Sequence, residues 1–361
     1  MLQHLQHTMS LYNIPEYNCE THSMTSFATL NDALASAEGQ KNILIGNGLS
    51  IAYNSSFSYA KLFDAARFEE NNPTISKVFD ALGTKDFETV PRALSSASEI
   101  ASKFGEHPFS DVLNAQIENL KNDLINAVQT THPDNRNCLD LAQCFNLQRF
   151  LLPFIESRGS VFSLNYDSLL YWAILRKDER RDSPLKGLFA DGFGDPQDGN
   201  VRFLSDACPQ PVNIIFPHGC LFIFEDGGSV LKPQAAMREA PLLEIIRTNM
   251  ETGKFPLFVS EGTADQKLKA MMKNHYLSYA LNRLSTQKEC FFVFGHKMDL
   301  ESDGHILRSI AKNPDVTDIY ASYFESEDGV VANLFKLRDA VRRNERDLRL
   351  HTYPAASATC W

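Results

Sequence analysis

The sequence predicts an α/β fold: a Rossmann-like parallel sheet with helices on both faces, plus a helical insertion. Two observations lead to this prediction. Short apolar runs have the length of buried strands and occur at 42–45, 160–164, 212–216, 256–259, 290–294 and 317–321. Helical patterns follow several of these runs, at 168–176, 265–284, 304–311 and 329–343. Near-continuous apolar strands that alternate with helices are typical of a parallel sheet covered on both faces.

Residues 1–40 are polar and weakly patterned, and we treat them as an N-terminal segment that ends in a helix at 26–38. Residues 41–361 are predicted to form one domain. Within it, positions 55–150 carry apolar residues at helical spacings, as in the series Ile117, Leu120, Leu124 and Val128. This block predicts a helical insertion between the first and second strands of the sheet.

The bulk composition excludes several classes of protein. There are 35 Lys or Arg and 45 Asp or Glu, giving a formal net charge of −10 without a basic run, so direct nucleic-acid binding is not expected. No apolar run can span a membrane and the N-terminus lacks a signal-peptide pattern, so we expect a cytoplasmic protein. The seven cysteines form no C-x-x-C pair, and we expect neither a metal nor a disulfide. Cys220 and Cys290 lie in apolar runs and are interpreted as packed thiols.

The residues just after each strand are the candidates for a site, because ligands of parallel sheets bind beyond the carboxyl ends of the strands. The first predicted strand is followed by Gly46, Asn47 and Gly48, and Ser50 comes two residues later. Glycines let the backbone approach a diphosphate, and the N-terminus of the next helix offers N–H groups to it. The alternative is a plain tight turn with Ser50 as the helix N-cap.

The second predicted strand leads into Asn165 and Asp167, and the third leads into His218 and Gly219. A carboxamide that faces a cavity can hold a ribose hydroxyl or a water, whereas Asp167 also suits the N-cap of the helix at 168–176. His218 can take a proton near neutral pH, and Gly219 leaves room for a ligand beside it. A satisfied core or surface histidine is the structural alternative for His218.

Gly295 and His296 follow the strand at 290–294, and Asp303 and His305 come shortly afterwards. Gly295 can let a second stretch of backbone approach a cofactor. Asp303 either serves the same pocket or caps the helix predicted to start near 304, and His305 is interpreted as an exposed first-turn residue. Because these groups follow successive strands of one sheet, we expect the strand ends to line one pocket.

These motifs resemble those of the Sir2-like superfamily, in particular its bacterial NAD-hydrolase branch. The stretch 46–50 resembles the Gly-Ala-Gly-x-Ser cofactor loop, 163–167 the Thr-x-Asn-Tyr-Asp segment, 217–219 the catalytic His-Gly, and 295–297 the late Gly-x-Ser loop. A closer resemblance is to the bacterial DUF4917 family, carried by the stretches 46–51, 256–263, 276–280, 294–296 and 303–307. The chain departs from the superfamily at Asn47, which is usually Ala, and at Lys297, which is commonly Ser. It also lacks the zinc-binding cysteines of protein deacylases, which argues against deacylation.

The resemblance implies an enzyme that binds NAD as its substrate and cleaves the nicotinamide–ribose bond, which gives nicotinamide and ADP-ribose. Asn165 would bind a ribose hydroxyl or orient a water, His218 would accept a proton, and Asp167 would hold the nicotinamide carboxamide or cap its helix. Cofactor contacts are expected from Gly46, Asn47, Gly48, Ser50, Gly295, His296 and Asp303.

The resemblance also implies a biological setting. Relatives without the zinc module look like NAD-depleting effectors of bacterial anti-phage defence (abortive infection). This implies a regulated enzyme that forms a homo-oligomer, works with a sensor protein, or does both. The alternative is a non-catalytic subunit that binds NAD or ADP-ribose, or that serves as a scaffold in a defence complex.

Overall fold

The computed structural model describes residues 24–84, 89–177, 183–197, 199–205, 211–234, 241–252, 254–259, 263–344 and 347–361. Its strands are β1 (Thr25–Ser26), β2 (Lys41–Ile45), β3 (Val161–Ser163), β4 (Phe193–Gln197), β5 (Asn200–Phe203), β6 (Ile214–Ile215), β7 (Gly219–Asp226), β8 (Ser229–Pro233), β9 (Phe255–Phe258), β10 (Glu289–Phe294), β11 (Val316–Tyr323) and β12 (Arg349–Pro354). Its α-helices are α1 (Leu30–Ser36), α2 (Gly48–Tyr53), α3 (Tyr59–Ala66), α4 (Phe68–Asn71), α5 (Pro73–Leu82), α6 (Thr89–Lys103), α7 (His107–Thr131), α8 (Leu141–Glu156), α9 (Leu169–Leu175), α10 (Leu242–Glu251), α11 (Ala264–Met271), α12 (His275–Ser285), α13 (Leu300–Ala311) and α14 (Asp328–Ala340).

The larger sheet has seven strands in the order β1-β12-β11-β10-β2-β3-β6, and its pairs are parallel. Five of the predicted strands are found in it, namely β2, β3, β6, β10 and β11. The α/β class with a parallel, Rossmann-like sheet flanked by helices is therefore confirmed. The edge strand β1 and its neighbour β12 were not predicted, since β1 is only two residues long and β12 mixes polar with apolar residues.

A second sheet of five antiparallel strands, in the order β4-β5-β8-β7-β9, was also not predicted. The prediction that 256–259 joins the parallel sheet is wrong, because β9 pairs with β7 instead. Periodicity cannot tell which sheet a short apolar run will join. The β7–β8 hairpin did carry a signal: Gly227 and Gly228 both have positive φ in its tight turn, as a two-residue loop requires.

Between β2 and β3 the described chain is helical, from α2 to α8. The helix predicted at 265–284 is divided in two, because the side chain of Asn274 accepts hydrogen bonds from the N–H groups of Tyr276 and Leu277 and starts α12. The helix predicted at 26–38 is shorter, since Thr29 caps α1. Residues 1–23 of the predicted N-terminal segment and 260–262 of the family stretch lie outside the described residues.

The thiols of Cys220 and Cys290 are packed in the core, as predicted, with 0% and 3% of each residue exposed. Burial raises the pKa of Cys290 to about 12, so this thiol stays protonated and unreactive at neutral pH. Across the described part of the chain, no helix combines the length and the apolar character needed to cross a membrane.

Candidate active site at the carboxyl edge of the parallel sheet

The register of the parallel sheet places the predicted strand-end residues along one edge. β2 is paired with β10 on one side and with β3 on the other, and β3 is paired with β6. Phe162 of β3 is opposite Ile215 of β6, and Asn165 and His218 each lie three residues further along the chain. The amide and the imidazole therefore follow neighbouring parallel strands from the same level of the sheet.

The glycine loop after β2 packs directly against the loop after β10. Gly46 N–H donates to the carbonyl of Phe294, and Gly48 N–H donates to the carbonyl of Gly295, both at 2.9 Å. A Cβ on Gly48 would lie 2.5 Å from Gly295 Cα, and Gly295 itself has a φ of +67°. Glycine is thus required here for the contact between two backbones, and the amides of Gly46 and Gly48 are already occupied by carbonyl oxygens.

Ser50, Asn165 and Asp167 form a hydrogen-bonded group at this edge. The Ser50 hydroxyl donates to Asp167 Oδ2 at 2.6 Å, and Asn165 Nδ2 donates to Ser50 Oγ at 2.8 Å. Ser50 lies inside α2 rather than capping it, so the simple-cap alternative for Ser50 is wrong. Asp167 Oδ1 accepts from Leu169 N–H at 2.9 Å, so Asp167 supports the start of α9 and holds Ser50 at once.

Asn165 keeps one polar atom unused. Its residue is 5% exposed, and its Oδ1 is buried without a hydrogen-bond partner in the described structure. Buried amide oxygens are normally paired, so an orphaned one marks a position that a ligand or a water can complete. Because Nδ2 is tied to Ser50, the amide orientation is fixed and the free oxygen stays an acceptor.

Asn47 and His132 link this edge to the helical block. Asn47 Nδ2 donates to the carbonyl of Phe57 at 3.1 Å, so its side chain points to the helices. His132 was missed by sequence reasoning. Its Nε2 accepts from Ser168 N–H at 3.1 Å and its ring packs edge-on against Trp172, while burial lowers its pKa. It steadies the turn that bears Asn165, and no local pattern in the sequence indicates this.

His218 lies in a cluster of charged and imidazole groups. His218 Nε2 is 3.0 Å from His305 Nε2 and 3.7 Å from Asp303 Oδ1. Asp303 Oδ1 also accepts from Lys267 Nζ at 3.2 Å, and Asp303 Oδ2 pairs with His296 Nε2 at 2.9 Å. The interpretation of His305 as an exposed residue is wrong, since it is 3% exposed and faces His218. Lys267 was not identified as a site residue from the sequence, and the structure shows that it is fully buried beside Asp303.

The position of these groups comes from α13, which starts earlier than predicted. Asp299 caps the first turn of α13, and a second helical segment follows Asp303, close to the predicted start near 304. The Asp303 carboxylate bonds Lys267 and His296, so its side chain serves the cluster. Asp303 interrupts the helix with a φ of −124° and a ψ of 19°. Residues two apart in a regular helix point to different sides, and this break lets Asp303 and His305 both reach His218.

Burial and charge set the protonation of the cluster. Burial lowers the pKa of His218 well below its usual range, although the nearby carboxylate of Asp303 opposes this. Burial lowers the pKa of His305 to about 4. Burial alone would raise the pKa of Asp303, but the hydrogen bond from His296 and the charge of Lys267 hold it well below its usual range. At neutral pH the two facing imidazoles are neutral beside an ionised carboxyl.

The same residues have the spacing of metal ligands. Ligand atoms of His218, Asp303 and His305 lie within 4.8 Å of one another, and such a donor set suits a divalent transition metal. However, the buried ammonium of Lys267 already bonds the Asp303 oxygen that is nearest to His218. A divalent ion would meet a like charge there at short range in a buried place. We therefore interpret the residues as a hydrogen-bonded cluster whose positive charge comes from Lys267.

His218 also belongs to the junction of the two sheets. Its carbonyl accepts from Val259 N–H at 2.8 Å, directly after β9. The next residue, Gly219, pairs with Phe258 and has a φ of +72°, and a Cβ there would lie 2.0 Å from the carbonyl oxygen of Leu257. Leu221 N–H donates to the carbonyl of Tyr166, so the antiparallel sheet rests on the turn that bears Asn165.

A cavity of about 620 Å³ lies at the opposite, amino edge of the parallel sheet, where β10, β11 and β12 begin. Its charged lining includes Asp318, which accepts hydrogen bonds from Arg349 and pairs with His351. The length of β10, about 20 Å at roughly 3.3 Å per residue, separates this cavity from the carboxyl edge. None of the predicted site residues lines it, so it is not the predicted pocket.

Fold and site together define a Rossmann-like α/β protein with a buried polar cluster at the carboxyl edge of its parallel sheet. The chain belongs to the family described as "Domain of unknown function (DUF4917)", whose model matches residues 43–361. The match begins in β2 and includes every predicted site residue. A comparison with curated proteins found no match.

Proposed function

We propose that the protein is a Sir2-like NAD glycohydrolase, which breaks the nicotinamide–ribose bond of NAD and gives nicotinamide and ADP-ribose. The orphaned Oδ1 of Asn165 is the observation that carries the proposal. It is a fixed acceptor at the sheet edge where His218 supplies a neutral imidazole. An acceptor for a hydroxyl or water and a base, held after neighbouring strands at one edge of the sheet, are groups that hydrolysis of a glycosidic bond can use.

The reaction can be written with these groups in named roles. The C1′–N bond breaks with its electron pair staying on the nicotinamide nitrogen, so positive charge builds on the ribose. Water then forms the new C1′–O bond and gives its proton to His218. Asn165 Oδ1 accepts a hydrogen bond from the water or a ribose hydroxyl and so fixes its position. The remaining NAD contacts that the sequence predicts are Gly46, Asn47, Gly48, Ser50, Gly295, His296 and Asp303. In the described conformation the amides of Gly46 and Gly48 and both oxygens of Asp303 are bonded within the protein, so these contacts require the site to open.

Asp167 was predicted either to hold the nicotinamide carboxamide or to support its helix. Both carboxylate oxygens are engaged, one by Ser50 and one by Leu169 N–H. This occupancy favours the positioning role, in which Asp167 orients Ser50 and Ser50 in turn orients Asn165.

The closed state of the cluster favours a regulated enzyme. Ser50 and His218 are 0% and 1% exposed, so the described conformation gives a dinucleotide no path to them. An NADase that opens only on a signal would spare its host until phage infection. We therefore extend the proposal to an NAD-depleting effector of anti-phage defence, with oligomerisation or a sensor protein as the trigger.

The test is the NAD content of bacterial cells that express the wild type, His218→Ala or Asn165→Ala, with and without phage. The matched control is His107→Ala, at an exposed histidine that begins α7. We expect NAD to fall, and nicotinamide and ADP-ribose to appear, only with the wild type and the control. Protection at constant NAD would contradict the proposal. A purified protein that holds intact NAD without turnover, even with a trigger, would instead identify a binding subunit.

A further inference from the structure

The two facing imidazoles constrain which nitrogen of each ring holds the proton. His218 Nε2 and His305 Nε2 are 3.0 Å apart, and the rings are nearly parallel, at 19° with centroids 5.1 Å apart. A hydrogen bond between neutral rings needs one N–H and one lone pair. His218 therefore either donates from Nε2 to His305 or accepts there from His305.

The charges around His218 decide between these arrangements. The charged and titratable groups that face it are Asp303, Lys267, His305 and His296. Asp303 Oδ1 can only accept and lies 3.7 Å from His218 Nε2, whereas Lys267 is bonded to Asp303. A carboxylate at this distance favours an N–H directed towards it over a lone pair. This charge favours the arrangement in which the proton of neutral His218 is on Nε2 and His305 Nε2 accepts. His305 then carries its own proton on Nδ1, a buried atom without a hydrogen-bond partner in the described structure.

We propose that Asp303 and His305 are positioning residues that hold His218 in its Nε2–H tautomer, which leaves Nδ1 unprotonated as the basic atom of the site. This inference rests on the proposed NAD cleavage and names the atom that takes the proton. When Nδ1 accepts the proton of the attacking water, His218 becomes an imidazolium that keeps its bond to His305. The Asp303 carboxylate then stabilises the new charge. In the other tautomer, Nδ1 would carry a hydrogen and accept nothing.

The break in α13 supports this assignment. Asp303 departs from helical geometry where two helical segments meet, and from this kink both Asp303 and His305 face His218 Nε2. Lys267 and His296 each hold one oxygen of the carboxylate, so its direction is fixed. Lys267, His296 and the kink in α13 together hold the Asp303 carboxylate in its orientation towards His218.

The experiment is long-range ¹⁵N–¹H correlation NMR of the full chain with labelled histidine, which distinguishes the two tautomers of each ring. Resonances are assigned with His218→Gln and His305→Gln. We expect wild-type His218 to carry its proton on Nε2. Asp303→Asn should give a mixture of tautomers, a fall in NAD cleavage of about 10²-fold, the lower end of a general base's contribution, and an acid limb shifted to lower pH.

Two further variants separate the role of His305 from simple packing. His305→Gln retains an acceptor oxygen and should keep the His218 tautomer. His305→Leu removes that acceptor and leaves only the Asp303 carboxylate to favour Nε2–H, so a fraction of His218 should shift to the Nδ1–H tautomer. His107→Gln is the control and should leave the His218 pattern unchanged.

Three outcomes decide the inference. A wild-type His218 that is protonated on Nδ1 overturns it. So does a stoichiometric Zn²⁺ titration that shifts His218 and His305 together, because the pair would then be metal ligands. The expected tautomer in a protein that never cleaves NAD would uphold the positioning and overturn the proposed function.

Discussion

Replacing Lys267 with methionine removes a buried cation while nearly preserving side-chain volume, and we expect a large loss of stability. Lys267 is 0% exposed, and its ammonium lies 3.2 Å from Asp303 Oδ1, in a residue that is itself 8% exposed. In the variant, the Asp303 carboxylate would keep its hydrogen bond to His296 but would lose the ammonium group that neutralises its charge. Removing one partner of a buried ion pair costs about 3–5 kcal/mol, and the remaining bond places our expectation at about 3 kcal/mol.

The assay is urea unfolding at pH 7, followed by circular dichroism. The matched control is Lys269→Met, an exposed lysine on the same helix, whose loss should change the free energy of unfolding by less than about 0.5 kcal/mol. If Lys267→Met and Lys269→Met unfold at the same urea concentration with the same slope, Lys267 is not the counter-charge of Asp303.

The pH dependence gives a second check on the same pair. The folded-state pKa of Asp303 is lowered, so its stabilisation is fully present above the unfolded value of about 3.9. That stabilisation is lost as the pH falls through the folded value. Without Lys267 the pKa of Asp303 in the folded protein rises. As the pH falls, Asp303 therefore becomes protonated at a higher pH in the variant than in the wild type, and protonation removes its unpaired charge. The stability gap between wild type and Lys267→Met should therefore narrow as the pH falls towards 4.

Three other perturbations have defined outcomes. Gly48→Ala would place a Cβ 2.5 Å from Gly295 Cα, so we expect a loss of about 3 kcal/mol in thermal unfolding and no NAD cleavage; wild-type stability would show that the two loops can separate. Burial lowers the pKa of His305 to about 4. The free energy of unfolding should therefore be unaffected by His305 above its unfolded pKa of about 6.5 and should fall by roughly 3 kcal/mol as the pH is lowered to about 4. His305→Gln should show a shallower acid dependence of the urea midpoint. Trp361→Phe removes the indole N–H that donates to the Leu49 carbonyl at 2.7 Å and should cost about 1 kcal/mol; unchanged hydrogen exchange in α2 would contradict this.

The strand ends could be predicted because their signals are local. A short apolar run followed by Gly46, or by Asn165, predicts both a strand and the residue that leaves it. In a parallel sheet these ends share one edge, so the order of the motifs along the chain is enough to predict that they lie near one another. The bonds from Asn165 to Ser50, and from Ser50 to Asp167, then follow from the pairing of β2 with β3.

The histidine cluster could not be predicted in the same way. His305 and Lys267 belong to helices whose patterns allow exposure, and lysine is seldom fully buried without a partner. Their burial depends on the break at Asp303 and on the packing of α11 against α13, which local periodicity does not reveal. The antiparallel sheet was missed for a related reason, since the strand at 255–258 resembles a core strand in composition.

The backbone at His218 and Gly219 couples the antiparallel sheet to the site. The backbone of His218 is tied to the end of β9, whereas Asn165 follows β3 of the parallel sheet. Tyr166, the residue after Asn165, is also bonded to the antiparallel sheet, through Leu221 N–H and the Val259 carbonyl. A displacement of β9 would therefore act on both the base and the turn that bears the amide oxygen. The antiparallel sheet is thus a structural support of the proposed site and not an independent appendage.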